Sequence, residues 1–221
     1  MIIDFQLHRC AEGEYLTAPN LPLPHRFTTR TGKPAQEPVM ARQIHSAEVL
    51  EVSGQGEYVC DGFLIRTPGL AVAVKTADCT PILLCDAEAG IAAAVHAGWR
   101  GTIVGIAPAA VEKMAALGAD RRRIQAAIGP AICFACYQVG EDFRTAVENA
   151  LGAEICARFV RPTPDGLHAD VPALNEFLLE RCGILPEHIA RCPLCTYEDA
   201  RFHSYRRERA YTGNQWAIIT V

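Results

Sequence analysis

The chain has 221 residues, half of them hydrophobic, with a formal net charge of −4 and a sequence pI of about 6.0. This length and apolar content predict one large domain with a sizeable core. The acidic balance argues against nucleic-acid binding, which usually brings a basic excess. No apolar run reaches the length of about 18 residues that predicts a membrane-spanning helix. The N-terminal segment has Asp4 inside its apolar run and no basic n-region, so we expect no signal peptide and a cytoplasmic protein.

Strands and helices are predicted to alternate along the chain. Short apolar runs predict strands at 26–30, 49–52, 63–66, 70–74, 81–85, 91–95, 123–128, 188–192 and 216–221. Three- and four-residue apolar spacing predicts helices at 102–117, 141–156 and 171–182. Residues 1–40 are rich in proline and glycine, and TGKPAQEP at 31–38 predicts a loop. Consecutive strands joined by short turns must pair antiparallel, so we expect one mixed α/β domain over residues 1–221, with helices covering sheet layers.

Residues 70–101 are the most apolar part of the chain and carry its most reactive side chains. Cys79 and His96 lie where apolar strands meet polar loops, and His45 has the same kind of position in a distant segment. Zinc accepts imidazole and thiolate, and three protein ligands with one open position are typical of catalytic sites. Such a site activates water near neutral pH. The spacing matches no short metal motif, so a nucleophile–base pair of Cys79 and His96 is an open alternative.

Ten cysteines in a chain without a signal peptide favour buried thiols, metal ligands or a nucleophile over a disulfide framework. Two CxxC motifs, at 133–136 and 192–195, are separated by residues 137–191. Zinc ribbons usually place roughly 15–20 residues between such motifs. We therefore expect these cysteines to pack in the core or in loops, with a structural zinc or redox site as the alternative.

A polar segment near the C-terminus combines a hydroxyl with two guanidiniums. Ser204, Arg206 and Arg207 lie within four residues and can hold a phosphate or carboxylate through charge-assisted hydrogen bonds. The alternative is a solvated basic loop.

Four further polar residues neighbour the predicted site. Arg42 and Gln43 shortly precede one predicted imidazole ligand, where they can orient it or hold substrate. Asp61 and Asp78 are candidate acids or bases. Asp78 directly precedes Cys79, so on an extended chain the two side chains would point to opposite sides.

Motifs spread over most of the chain together resemble the laccase-domain family, also called polyphenol oxidase-like. Its members include bacterial purine nucleoside phosphorylases and the peptidoglycan editing factor. The most specific matches are KTADCTPILL at 75–84 and HAGWRGT at 96–102. The others, in the expected order, are FTTR at 27–30, RQIHS at 42–46, DG at 61–62, IGPAI at 128–132, CYQVG at 136–140, LN at 174–175, CT at 195–196, SYRR at 204–207 and TG at 212–213.

The resemblance implies a zinc enzyme with His45, Cys79 and His96 as metal ligands, folded as a single-domain layered α/β/β/α sandwich with mixed sheets. It implies phosphorolysis of adenosine, inosine, guanosine and methylthioadenosine, together with adenosine deamination. The expected partners are a purine nucleoside and phosphate, without nucleic acid or membrane. We expect the three ligands and Asp78 to be catalytic. The expected substrate-binding residues are Arg42, Gln43, Asp61, Arg100, Ser204, Arg206 and Arg207.

The chain departs from the family pattern before RQIHS, where a longer insertion is usual, so substrate choice is open. Three alternatives accompany the zinc hypothesis. The first is a copper-dependent polyphenol oxidase, although the seven histidines include no His-x-His pair. The second is a cysteine-type amide hydrolase or peptidoglycan-precursor editing enzyme that uses Cys79 and His96. The third is a non-catalytic protein stabilised by zinc at its two CxxC motifs.

Overall fold

Most of the predicted strands belong to two main sheets in a computed structural model, which describes residues 5–221. The N-terminal expectation that rests on Asp4 lies outside the described residues. The strands are β1 (Gln6–Cys10), β2 (Gly13–Thr17), β3 (His25–Thr28), β4 (Ala41–Arg42), β5 (Val49–Glu51), β6 (Tyr58–Val59), β7 (Gly62–Ile65), β8 (Ala71–Thr76), β9 (Thr80–Asp86), β10 (Ile91–Ala97), β11 (Gln125–Ile128), β12 (Gln138–Val139), β13 (Val160–Thr163), β14 (Gly166–Ala169), β15 (Ile189–Arg191) and β16 (Gln215–Thr220).

The helices are shorter than the sequence predicts. They are α1 (Trp99–Ile103), α2 (Ile106–Ala116), α3 (Glu141–Leu151), α4 (Ala153–Phe159), α5 (Val171–Arg181) and α6 (Tyr205–Glu208), with 3-10 turns at Phe134–Cys136 and Pro186–His188. No helix within residues 5–221 is long and apolar enough to cross a lipid bilayer.

The first main sheet is antiparallel and has the order β1-β2-β3-β16-β8. The second has the order β15-β11-β9-β10-β7-β5 and is mixed, because both edge strands pair in parallel with their neighbours. Its central strands β9 and β10 form the predicted hairpin, in register with His96 opposite Pro81. The strand ends that carry Cys79 and His96 therefore lie at the same edge of this sheet.

The main core lies between the two sheets, where Phe27, Val72 and Ile219 of the first pack against Phe63 and Leu83 of the second. A second core fills the space between the other face of the mixed sheet and α2. Burial on both faces explains why β9 and β10 are continuous apolar runs rather than alternating ones. The predicted mixed α/β single-domain sandwich is confirmed.

Two of the three helix predictions need correction. The segment 102–117 splits at Gly105, whose φ of 86° is left-handed, and 141–156 splits at Gly152, whose φ is 90°. Positive φ interrupts the run of helical backbone, and glycine adopts it without the Cβ clash of other residues. The sequence analysis also missed β1 and β2, which pair as a hairpin before residue 25.

Candidate metal centre and cavity

One buried carboxylate contacts both histidines of the predicted site, the ring of one and the backbone of the other. Asp61 is 0% exposed and accepts hydrogen bonds from Nδ1 of His96 at 2.8 Å and from the backbone N–H of His45 at 2.9 Å. The backbone N–H groups of Ile44 and Ser46 donate to the same carboxylate, at 3.2 and 2.7 Å. His45 has a φ of 62°, a conformation in which consecutive amides converge on one anion. Burial raises the pKa of Asp61, but the bonds from His96 and Ser46 outweigh it and hold this pKa below its usual range.

The thiol of the site lies at the turn between β8 and β9. Asp78 has a φ of 88°, which non-glycine residues seldom adopt. Cys79 follows directly, and its Sγ lies 4.0 Å from Nε2 of His45. Burial disfavours the thiolate, but hydrogen bonds from His45 and His96 lower the pKa of Cys79 to about 6. Burial likewise disfavours the imidazolium of His96, but its bonds with Asp61 and Cys79 raise the pKa of His96 to about 9.

The three predicted ligands meet at one point. One donor atom from each of His45, Cys79 and His96 lies within 4.8 Å of the other two, and the imidazole ring centroids are 4.8 Å apart. The hydrogen bond to Asp61 occupies Nδ1 of His96 and leaves Nε2 available to bind a metal ion. A carboxylate behind a ligating imidazole is the usual support of a metal-bound histidine. Two nitrogens and one sulfur with an open side therefore fit a borderline-soft metal ion.

A glycine makes room for this cluster. A Cβ on Gly98 would lie 2.8 Å from Cδ2 of His45 and 3.3 Å from Sγ of Cys79. The HAGWRG motif therefore supplies more than its imidazole, because its first glycine lets the chain pass directly against the other two ligands.

A cavity of about 670 Å³ opens over the three ligands. Its walls carry four cationic side chains, from Arg42, Lys75, Arg100 and Arg206, against a single carboxylate, that of Asp78. Such an excess of positive charge favours an anionic ligand.

The single carboxylate of the wall is already engaged. Oδ1 of Asp78 accepts from the Thr196 hydroxyl at 2.6 Å, and Oδ2 accepts from the backbone N–H of Arg206 at 2.7 Å. Arg206 in turn donates from Nη1 to the carbonyl of Gln138 at 2.9 Å and lies 5.0 Å from the ring centroid of Tyr137. Asp78 therefore positions the Arg206 segment rather than presenting a free carboxylate.

Of the expected anion-binding trio, only Arg206 reaches the cavity. Ser204 is buried and caps α6 by accepting from the backbone N–H of Arg207. The Arg207 guanidinium donates to the carbonyls of Thr196 and Phe202, at 2.7 and 2.6 Å, so it braces the loop.

Two further expected substrate-binding residues are engaged in hydrogen bonds within the protein. Asp61 is enclosed behind His96 and does not line the cavity. Gln43 does line it, but its amide pairs with both the N–H and the carbonyl of Lys75, each at 2.8 Å. This pairing joins the loop before His45 to β8.

Several wall residues escaped the sequence analysis. Most of them lie inside the quoted motifs but were not assigned to the site, and the other two flank the TG at 212–213. They are Lys75, Ala77, Trp99, Tyr137, Tyr205, Tyr211 and Asn214.

Comparison with known proteins finds relatives that cover most of the chain. The family model described as multi-copper polyphenol oxidoreductase laccase matches residues 24–221. A purine nucleoside phosphorylase of Deinococcus radiodurans is 35% identical over 240 aligned residues, which cover 92% of this chain and 91% of that protein. A protein named adenosine deaminase RL5, from an unknown prokaryotic organism, is 37% identical over 79% of this chain and 73% of its own. The crystal structure of YlmD from Geobacillus stearothermophilus superposes with a TM-score of 0.85 at 26% identity, covering 98% of this chain and 99% of that one.

Proposed function

Because the chain belongs to the multi-copper polyphenol oxidoreductase laccase family, we propose that it is a zinc-dependent purine nucleoside phosphorylase that also deaminates adenosine. The proposed substrates are adenosine, inosine, guanosine and methylthioadenosine, with phosphate as the second substrate. The observation that carries the proposal is the cluster of His45, Cys79 and His96 beneath a cation-rich cavity. The reaction class comes from relatives named purine nucleoside phosphorylase and adenosine deaminase.

Zinc is the proposed metal because the donor set has two imidazoles and one thiolate with an open side. When bound, zinc supplies Lewis-acid activation of a substrate oxygen or of water. The chain's own contribution is orientation. Asp61 keeps the proton on Nδ1 of His96, so that Nε2 faces the cluster, and it sets the turn that presents His45.

The proposed phosphate ligands are the cationic side chains of the wall. Arg42, Arg100 and Arg206 each offer guanidinium donors, which bind phosphate oxygens through charge-assisted hydrogen bonds. Arg100 is stacked on the Trp99 ring at 4.3 Å and Arg206 on that of Tyr137, so both guanidiniums are preorganised.

The proposed base-binding wall is aromatic. Tyr137, Tyr205 and Tyr211 line the cavity, and the last two are exposed, which leaves their faces free to stack on a purine.

In phosphorolysis, a phosphate oxygen forms a bond to the anomeric carbon while the carbon–nitrogen glycosidic bond breaks. The base leaves with the bonding pair and takes up one proton. Tyr137 is the proposed donor or relay for that proton. Burial, followed by the charge of Cys79, raises the pKa of Tyr137 to about 12, so its O–H stays protonated at neutral pH. Asp61 and Asp78 are less suitable for this step, because their carboxylates are already engaged in internal hydrogen bonds.

The direct test is product analysis with metal-quantified protein. Adenosine and inosine are incubated with and without phosphate, and free base, ribose phosphate and inosine are separated by chromatography. We expect phosphate-dependent base release that falls by about 100-fold or more in Cys79→Ser, since Lewis-acid activation contributes several kcal/mol. Cys10→Ser is the matched control, because this thiol is exposed on β1. Absence of both base and inosine with the zinc-loaded protein would contradict the proposal.

A cysteine hydrolase is the second candidate, because the pKa of Cys79 is lowered to about 6 beside two imidazoles. A thiol enzyme of this kind, acting on an amide or a peptidoglycan precursor, would keep its activity after chelation and lose it on alkylation. The zinc enzyme would lose activity on chelation and recover it with zinc alone.

Copper is the competing metal, since two histidines and one cysteine also suit a copper centre. Phosphorolysis requires no change of redox state, which favours zinc. Stoichiometric copper with cupric absorption in the active protein would overturn this assignment.

A further inference from the structure

A second cluster of metal-ligating side chains lies apart from the three ligands of the cavity. Donor atoms of Cys133, Cys136, Cys195 and Glu198 all lie within 4.8 Å of one another. Thiolates that share one tetrahedral zinc, at Zn–S distances of about 2.3 Å, lie about 3.8 Å apart. The observed separations therefore need only a small contraction around an ion.

Two turns build this cluster, and each presents a pair of residues three apart. The 3-10 turn at Phe134–Cys136 places Cys136 on the same side as Cys133, because side chains at i and i+3 eclipse in such a turn. Cys195 begins a second turn, in which the N–H of Asp199 donates to the Cys195 carbonyl at 2.9 Å. Glu198 thereby returns to the side of Cys195.

The two turns are joined by contacts within the protein. The N–H of Cys133 donates to Sγ of Cys195 at 3.3 Å, and a backbone bridge pairs Ala131 with Cys195. Cys195 is buried and Glu198 is exposed, so the cluster sits at the protein surface with one covered side. An ion can enter without unfolding of either turn.

The fourth cysteine of the two CxxC motifs is elsewhere. Cys192 continues the pairing of β15 with β11 and packs in the core between the main sheets. In extended chain, residues an odd number apart point to opposite faces, so Cys192 and Cys195 separate. The two-CxxC zinc site considered as an alternative from the sequence would need Cys192, but Glu198 rather than Cys192 lies beside the other three cysteines.

We propose that Cys133, Cys136, Cys195 and Glu198 form a second, structural zinc site. Three thiolates and one carboxylate complete a four-coordinate set without an open position, which is the arrangement of structural rather than catalytic zinc. Thiolate-rich sets select zinc over the hard cations magnesium and calcium.

The site ties together a segment that lines the cavity and a segment that bonds to a cavity residue. Tyr137 directly follows Cys136 and lines the cavity. Thr196 directly follows Cys195 and donates to Asp78, the neighbour of Cys79. Zinc at the second site therefore fixes the position of Tyr137 and of the Thr196–Asp78 bond without contacting substrate.

The test is zinc stoichiometry in purified, reduced full-length protein, measured by elemental analysis after gel filtration. Wild type is expected to hold two zinc ions per chain, Cys136→Ser one, Cys79→Ser one, and the double variant none. Cys192→Ser is the matched control and keeps both. Glu198→Gln, at an exposed position, folds whatever happens to the cysteine variants and is expected to hold the second ion at least 10-fold more weakly in a chelator competition.

Cobalt substitution gives an independent readout. Cys79→Ser loaded with Co²⁺ is expected to keep an intense thiolate-to-cobalt charge-transfer band, which Cys136→Ser reduces sharply. A single zinc in wild type that Cys79→Ser abolishes, with full retention in Cys136→Ser, overturns the second site. A single zinc that Cys136→Ser abolishes and Cys79→Ser retains supports it, and shows that zinc at the cavity, and thus the proposed function, has failed separately.

Discussion

Replacing Asp61 with asparagine tests whether one carboxylate assembles the cavity cluster. The amide matches the carboxylate in shape, but its NH2 group would face N–H donors that now bond to a carboxylate oxygen. The substitution also removes the negative charge beside His96. Breaking one side of a buried charged network costs about 3–5 kcal/mol. For a chain of this size each kcal/mol shifts Tm by about 2–4 °C, so Tm should fall by roughly 10 °C. Loss of the carboxylate behind a metal-ligating imidazole should also weaken zinc binding by about 10–100-fold.

Asp86→Asn is the matched control for this prediction. Asp86 is equally buried and accepts from the N–H groups of Asp120 and Ala89 and from Arg123, but it lies at the opposite end of β9, about 20 Å away. The Asp86→Asn protein should lose about as much stability as the Asp61→Asn protein but keep its zinc affinity. Thermal unfolding followed by circular dichroism and competition with a chromophoric chelator give the two readouts. Equal zinc affinity in both variants would refute the role assigned to Asp61.

Three further outcomes are expected. Gly98→Ala places a methyl group 2.8 Å from His45 and 3.3 Å from Cys79, so zinc affinity measured by chelator competition should drop about 10-fold while Tm changes little; unchanged affinity would show that the ligands shift freely. Arg100→Ala should raise the KM for phosphate about 10-fold, the loss of one charge-assisted hydrogen bond, in steady-state kinetics with saturating inosine. Burial raises the pKa of Asp86, but the hydrogen bonds from Asp120 and Arg123 lower it by more, so this pKa lies below its ordinary value. Ionised Asp86 therefore stabilises the fold above the unfolded carboxyl pKa, and this stabilisation is lost as pH falls through the folded pKa. The Tm difference between wild type and Asp86→Asn should therefore shrink from pH 6 towards pH 3, and a constant difference would contradict the assignment.

The central strands were predictable because burial on both faces leaves a strong sequence pattern. The runs at 70–74, 81–85 and 91–95 correspond to β8, β9 and β10, and the short turn between the last two fixed their antiparallel pairing. That pairing alone brings Cys79 and His96 to one edge. The contact with His45 could not be derived from spacing, since it depends on a buried aspartate sixteen residues further along the chain.

The errors of prediction have a common physical origin. An isolated glycine in a helical pattern is compatible with helix, and only the tertiary structure decides that Gly105 and Gly152 take positive φ. Likewise, the two CxxC motifs have the same spacing in the sequence but different backbone geometries in the structure. The turn at 133–136 brings both thiols together, whereas the extended segment at 192–195 separates them.

A side-chain hydrogen bond links the two candidate metal clusters. Cys79 is preceded by Asp78, Cys195 is followed by Thr196, and the hydroxyl of Thr196 donates to Asp78 at 2.6 Å. The same aspartate accepts from the backbone of Arg206, so one carboxylate joins the thiol loop, the cysteine-rich turn and a cationic wall of the cavity. This explains why Asp78 tolerates a φ of 88°: its two strong hydrogen bonds offset a backbone conformation that costs about 1–3 kcal/mol. A residue that the sequence suggests as a proton carrier therefore links, in the fold, the cavity cluster to the cysteine-rich turn.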